Sequence, residues 1–499
     1  MSRWIWVILF FIVLLTPFAL RWAVGVAPEK SGRTAAPAGD AKDLLRVVVI
    51  TPHAETIRTE FSDAFAAWHR EKFARDVFVD YRVYGGSTDI VRYFDNAHRT
   101  LFRDLGTYQI DVVWGGGDDL FDRQLKQPGY LEGVKLSDDV MRRAFAQPAV
   151  GGLPLYDQKS DPPQWYGTAL SSFGIVFNRD VLAHLNLPEP KTWSDLTDPT
   201  YRRWVLLADP TRSGVARTTF MVVVERSMQD AADAGRSADE GWARGMGLIR
   251  QIAANARNFS DGSTAVSGIV GSGEAAAGMA IDFHARSQVD AVLTGSGSSR
   301  LGYVEPVGAT AINPDPIALV KGAENRAAAV RFIEFVLSEA GQRLWNTRAG
   351  APGGPKSSSL RRLPVMQSLY TDVAAMRDFT DQVNPYVAGG DFNTSRDRTV
   401  TSGILSELIQ ASCIDPLDEL RDTRAAILAS PRAGELDARL GVFPFGQTEA
   451  LERMKRYRAA SPLERLTLQR QWTEEFRAEY RRLREEAERE PRMNADEGR

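Results

Sequence analysis

From residue 44 onward, short apolar runs alternate with amphipathic stretches, and each run stops at a cluster of small or polar residues. Leu45-Arg46-Val47-Val48-Val49-Ile50 is β-branched and nearly continuous in its apolar character, the pattern of a buried strand. After Thr51-Pro52-His53, Ile57, Phe61, Ala64, Phe65 and Trp68 recur at helical spacing. A second strand is predicted over 77–84, ending in Gly85-Gly86-Ser87-Thr88 before a helical stretch at 89–94. A third, over 110–114, ends in Gly115-Gly116-Gly117-Asp118-Asp119 and another helical stretch. This βαβαβ order demands a mostly parallel sheet with helices on its faces.

The same order resumes downstream. Residues 175–177 are strand-like, and 204–208 form a strand ending in Asp209-Pro210-Thr211-Arg212-Ser213-Gly214, with a helix expected from about 215 to 226. Residues 278–283 read as a strand leading into His284. Residues 324–345 read as one amphipathic helix, with Val330, Phe332, Ile333, Val336, Leu337 and Leu344 on its buried side. Two doubly wound α/β lobes fit residues 44–350. Beyond about residue 361 come helical segments such as 404–411, then alternating charge over 449–489, which reads as a solvated helix.

Residues 4–20 carry no charge and lie between Arg3 and Arg21. As a helix they would span roughly 25 Å at ~1.5 Å per residue. That length, with Trp4, Trp6 and Trp22 at the two ends, favours an uncleaved membrane anchor over a secretory signal cut near Ala23-Val24-Gly25. Either way the remainder is expected on the extracytoplasmic side of the cell envelope, with 28–40 as a flexible tether. Among 499 residues, 43% are hydrophobic and 25% charged, an ordinary globular balance, and the net charge of -3 argues against a nucleic-acid partner. One cysteine, Cys413, excludes an internal disulfide and a Cys-rich metal framework.

In open α/β sheets, ligands bind beyond the carboxyl ends of strands. That rule selects Thr51-Pro52-His53, Gly86-Ser87-Thr88, the loop with Gly116 and Asp118, and Arg212-Ser213-Gly214. Gly86-Ser87-Thr88 and Ser213-Gly214 place small residues at helix starts, where free N–H groups and the helix dipole favour an anion, although Ser and Thr there also serve as plain N-caps. Of five histidines, His53 and His284 follow predicted strands. With Asp282, which shares a face with His284 if the strand continues, they form a candidate metal site, or else polar loop residues that never meet. The chain has no G-x-S-x-G, no H-E-x-x-H and no P-loop, and nothing in it identifies a general base, so a non-enzymatic protein is expected, requiring no cofactor beyond a possible metal ion.

Residues Trp165-Tyr166-Gly167-Thr168-Ala169-Leu170-Ser171-Ser172-Phe173-Gly174-Ile175-Val176-Phe177-Asn178 resemble the crossover strand of extracellular solute-binding proteins of the ferric-iron class. So do Thr192-Trp193-Ser194-Asp195-Leu196, the Ala208 to Gly214 loop, and the 316–345 segment with Ser338-Glu339-Ala340-Gly341-Gln342. The resemblance covers roughly 44–360. It implies a type II periplasmic-binding-protein fold, with crossovers near 165–176 and 300–306 and an ABC permease as partner. The organisation is then an anchor or signal (1–27), a linker (28–43), lobe 1 in two parts (44–165 and 303–362), lobe 2 with crossovers (166–302) and a mostly helical, charged extension (363–499). His53 matches the family's N-terminal ligand histidine and Ser213-Gly214 its anion-holding loop; Ser171 joins the expected contacts, as do Trp165 and Tyr166 if they line the cleft, large aromatics near a crossover being as often packing residues. Phe283-His284 stands where ferric-binding members carry two tyrosines, which moves the expected cargo toward a small anionic solute, with or without a metal ion. The alternative is a membrane-anchored sensor or scaffold that reuses this fold.

Overall fold

Two mixed sheets and a small ribbon organise the residues that the computed structural model describes, 45–388 and 401–489. The expected anchor and linker lie outside the described residues, among which no helix is long and apolar enough to cross a membrane. The first half of the chain supplies β1 (Leu45–Ile50), β2 (Val77–Arg82), β3 (Val112–Trp114), β4 (Leu131–Glu132), the ribbon β5 (Ala149–Val150) and β6 (Leu153–Pro154), and β7 (Tyr166–Ser171). Then follow β8 (Phe173–Asn178), β9 (Val205–Ala208), β10 (Ala256–Ser260), β11 (Ala277–Ile281), β12 (Leu301–Val304), β13 (Asn313–Val320) and β14 (Leu363–Pro364).

The first sheet runs β14-β7-β13-β3-β1-β2, with β4 on the far end of β13. Its β1, β2 and β3 are parallel, and β13 enters antiparallel. Val47 and Val49 face one apolar cluster while Val48 and Ile50 face another. Burial on both faces is why this strand reads as a continuous apolar run. The second sheet runs β10-β9-β11-β8-β12. The chain passes between sheets at Ser172 and again over 305–312. These two passages touch, because the Phe173 N–H donates to Thr310 Oγ1 at 2.9 Å.

Several sequence expectations are revised. β7 belongs to the first sheet, so the passage between sheets falls at Ser172, after the lobe boundary expected at 165. β14, just beyond the boundary expected at 362, also joins the first sheet. The 324–345 helix is two helices, Arg326–Leu337 and Glu339–Asn346, broken at Ser338, whose Oγ accepts the Gly341 N–H and caps the second. The strand expected over 278–283 stops at Ile281, where the Asp282–Ser296 helix begins.

The charge-rich C-terminal region is not simply solvated. In the Pro462–Glu488 helix, Leu468, Trp472, Phe476, Tyr480, Leu483 and Ala487 form one buried stripe. That stripe is continuous with the apolar core of the second sheet, which includes Val205, Leu206, Ile249 and Ile252.

Candidate functional site

Strand-end loops from both sheets enclose a cavity of about 490 Å³. The loops after β1, β2 and β3 bring Pro52, His53, Gly86, Ser87 and Gly116; the loops after β9 and β10 bring Arg212, Ser213, Gly214, Asp261, Ser263 and Thr264. Ser171 and Phe173 flank the first passage, and Phe283 and His284 open the Asp282–Ser296 helix.

Five helices start at this cavity: Glu55–Phe73, Ser87–Ala97, Gly214–Asp233, Thr264–Gly271 and Asp282–Ser296. Each leaves backbone N–H groups without intrahelical partners at its first turn. A side chain caps only part of this set. Ser213 Oγ accepts the Ala216 N–H, and Asp89 accepts the Gly86 N–H at 3.1 Å. The N-caps Ala54, Ser263 and Ile281 supply no side-chain hydrogen bond. The combined dipoles make the cavity favourable for an anion.

A buried ion pair forms part of the cavity wall. Arg362 Nη1 lies 2.5 Å from Asp315 Oδ2, and Arg362 Nη2 donates to Ser171 Oγ at 2.9 Å. His53 Nε2 is 2.7 Å from the same Asp315 oxygen, while the Gly116 N–H donates to Asp315 Oδ1 at 2.8 Å. Burial alone would raise the Asp315 carboxyl, but Arg362 and His53 override it and hold it well below the ordinary carboxylate range. An ionised carboxylate only accepts, so the imidazole proton sits on His53 Nε2. Burial keeps His53 neutral by lowering its pKa, outweighing Asp315, and Arg362 reinforces the effect.

Local backbone irregularity aims these groups. The register of β13 against β7 shifts between Asp315 and Pro316, and such a bulge re-aims a side chain while tolerating prolines in a central strand. Gly115, at φ 91°, packs against His53, and a Cβ there would lie 2.7 Å from Nε2.

Of the sequence-selected residues, His53, Gly86, Ser87, Gly116, Ser171, Ser213, Gly214 and His284 line the cavity. Thr51, Thr88, Asp118, Trp165, Tyr166 and Asp282 are not among its lining residues. Thr51 Oγ1 accepts the His53 N–H, and Asp118 accepts from Asn313 Nδ2 at 2.6 Å, so both brace lining residues from behind. Trp165 and Tyr166 are core residues: their polar tips donate to Asp122 and to the Val134 carbonyl, and their rings fill the apolar clusters of the first sheet. The metal trio does not assemble. Among the described residues no group of three or more His, Cys, Asp or Glu is placed to hold a metal ion. His53 Nε2 is spent on Asp315, and Asp282 begins a helix, which removes the two-residue strand alternation that would have aligned it with His284.

Sequence reasoning missed Asp315 and Arg362, which are far apart in sequence and meet only through sheet topology. Their one local signal was a charge beside an apolar strand, in Asn313-Pro314-Asp315-Pro316 and in Arg361-Arg362-Leu363. The N-cap Ser263 was missed because β10 carries exposed Arg257 and Asn258 and does not read as a strand.

Residues 111–367 match the family model described as bacterial extracellular solute-binding protein. Over 176 residues the chain is 30% identical to the phosphoglycerate transport regulatory protein PgtC of Salmonella typhimurium, covering 35% of this chain and 39% of that one. It is 26% identical over 236 residues to an uncharacterized protein of Haemophilus influenzae, covering 46% of this chain and 60% of that one. The chain thus spans less than two thirds of the length of either curated relative. The fold is similar to the periplasmic binding protein AfuA from Actinobacillus pleuropneumoniae with fructose-6-phosphate bound (TM-score 0.52, 17% identity, 72% of this chain and 98% of that one). It is also similar to the substrate binding protein of an ABC transporter from Agrobacterium tumefaciens (TM-score 0.51, 16% identity, 77% of this chain and 96% of that one). The expected type II periplasmic-binding-protein fold is therefore borne out, and with more than half of its residues falling on the family model, this chain belongs to the bacterial extracellular solute-binding proteins.

Proposed function

We propose that the protein is the extracytoplasmic receptor of an ABC-type importer and that its solute is a small phosphorylated or otherwise anionic metabolite. The observation that carries this reading is the convergence of five helix N-termini on one cavity. The cationic side chains at the cavity are already paired, Arg362 with Asp315 and Arg212 with Asp261, so the anion is held chiefly by backbone N–H groups. The volume suits a small metabolite. PgtC, a phosphoglycerate transport regulatory protein, and AfuA with its bound fructose-6-phosphate support the same ligand class. Of the expected contacts, His53, Gly86, Ser87, Gly116, Ser171, Ser213 and Gly214 serve as the ligand shell. The apolar run over 4–20 tethers the chain to the inner membrane, and an alkaline wash of membranes that released the protein would overturn that part.

The main test is a melting-temperature screen of the full chain with phosphoglycerate, fructose 6-phosphate, inorganic phosphate, sulfate and the matching non-phosphorylated compounds. Saturation at about 100 times Kd stabilises the fold by about 2.7 kcal/mol, so a phosphate ester raises Tm and its dephosphorylated counterpart does not. Gly214→Val abolishes the response, because a Cβ at Gly214 would already lie 2.8 Å from Ser87 Oγ across the cavity. No response to any anion overturns the reading.

A second reading, a membrane-anchored sensor or scaffold, draws on two observations. PgtC is named as a transport regulatory protein, and residues beyond 367 lie outside the family match. Deleting the gene separates the two. An importer receptor loses solute uptake while transport-gene expression stays inducible, whereas a sensor loses the induction.

A further inference from the structure

The two lobes are joined by more than the passages at Ser172 and 305–312. On the Asp282–Ser296 helix of the second lobe, Arg286 and Asp290 stand four residues apart, on one face. Arg286 pairs with Asp381 and Asp290 with Arg361, both partners belonging to segments packed on the first lobe. Asp381 is built in as an acceptor: its N–H and carbonyl bond the Asn346 side chain, and its Oδ1 accepts the Val383 N–H at 3.0 Å. Arg286 also pairs with Glu305 at 2.5 Å, in the second passage itself, and lies over the Tyr303 ring.

Arg361 shows a second sign of design. It is a non-glycine residue held at φ 55°, in the left-handed region that L side chains rarely adopt. That conformation lets consecutive arginines serve different lobes. Arg362 is buried in the cavity wall against Asp315, and Arg361 reaches Asp290. Arg362 itself stacks on Phe283 of the same second-lobe helix at 4.4 Å.

We infer that Arg286, Asp290, Arg361 and Asp381 form an interlobe latch, a set of positioning residues that biases the lobes toward the closed arrangement and so sets how long a solute stays bound. The latch touches the ligand reading only in its consequence; its existence is tested without any ligand. Charge pairs that bridge the lobes act on the open–closed equilibrium through their difference between the two states, since separating the lobes parts Asp290 from Arg361 and Arg286 from Asp381 while Arg286 keeps Glu305.

The experiment is hydrogen exchange followed by mass spectrometry on the detergent-solubilised full chain, ligand-free, following peptides that cover 86–90, 213–217 and 282–290. Asp290→Arg opposes two arginines, and amide exchange in these peptides speeds by about 3- to 10-fold. The swap of Asp290→Arg with Arg361→Asp restores the pair and returns exchange to the wild-type rate. Asp290→Asn gives a smaller increase in the same peptides, and β1 and β9 peptides report that the lobe cores stay folded in each variant. Exchange unchanged by Asp290→Arg, or a swap as fast as the single reversal, overturns the latch. In the same instrument, wild-type protein with 3-phosphoglycerate and fructose 6-phosphate reports on the solute reading separately: absent protection of 213–217 counts against that reading and leaves the latch result standing.

Discussion

Asp282 and His284 lie two residues apart at the start of one helix, yet burial drives their proton equilibria in opposite senses. Burial raises Asp282 to about 6, against the pull of Arg286 and with Glu305 adding to it. Burial, with Arg362, lowers His284 to about 4 from an ordinary value of 6.5. For His284 the unfolded chain binds more protons between pH 4 and 6.5, so its contribution is complete above 6.5 and is lost as pH falls toward 4. For Asp282 the folded chain binds more protons, so its contribution is complete at low pH and is lost as pH rises through about 6. The two nearly offset in the wild type. Asp282→Asn unmasks His284, and Tm then falls more steeply on acidification from pH 6.5 to 4; His284→Gln reverses the trend. Thermal melts across that range check both, each effect being on the order of 1–3 kcal/mol. Asp315 behaves more simply: its carboxyl is depressed, so its contribution is present above the ordinary carboxylate range and lost only in stronger acid. Arg362→Met leaves that buried carboxylate without its guanidinium and costs about 3–5 kcal/mol, read by urea unfolding at neutral pH. None of this was legible from residue type. The sequence marks His53 and His284 as candidates for a metal site, and only the sheet register reveals that Asp315 has already claimed His53.

Elements were most legible where both faces of a strand are buried. β1 reads directly from its β-branched run, and the loops after β1, β2, β3 and β9 follow from the rule that ligands sit at strand ends. Where a helix buries a narrow stripe, the pattern misleads. In Pro462–Glu488 the buried positions 468, 472, 476, 480, 483 and 487 fall three or four residues apart, and charged residues fill the remaining turns. Averaged along the chain the segment therefore reads as polar, although its stripe is the seam of a packed interface. Trp472 is buried there beside Tyr457. Trp472→Ala is accordingly expected to cost about 3–5 kcal/mol, whereas Glu488→Ala on the exposed side stays within about 0.5 kcal/mol. Equilibrium denaturation distinguishes a packed seam from a solvated helix, which would show the same small effect at both positions.

At the scale of the molecule, the sequence reading sets everything after 362 apart from the lobes as a mostly helical, charged extension. The packing argues otherwise. Ile404, Leu408, Leu420, Leu440, Phe443 and Tyr480 belong to the same buried cluster as β9 and the Ala238–Ala254 helix. Arg250 of that helix is fully buried, and its guanidinium donates to the Leu440 and Val442 carbonyls and pairs with Glu479 at 3.0 Å. Arg421 caps the start of β10 from outside by donating to the Ala256 carbonyl, and Ser406 Oγ donates to the Pro210 carbonyl in the loop that leads to Ser213. Removing residues 401–489 would take away the groups that pair with Arg250 and strip one side of the second-lobe core. Each large apolar side chain of that shared cluster left in water costs about 1.5–3 kcal/mol, so a few of them are comparable to the whole stability of a domain. The truncated chain should therefore lose the second lobe while the first sheet, whose core lies in separate clusters, retains protected amides. Hydrogen exchange on a chain ending at residue 388 checks this directly: protection in β1 and β3 with loss in β9 and β11 is the expected outcome. Protection in both sheets would mean that the C-terminal helices are an appendage after all, and that solute binding can be studied without them.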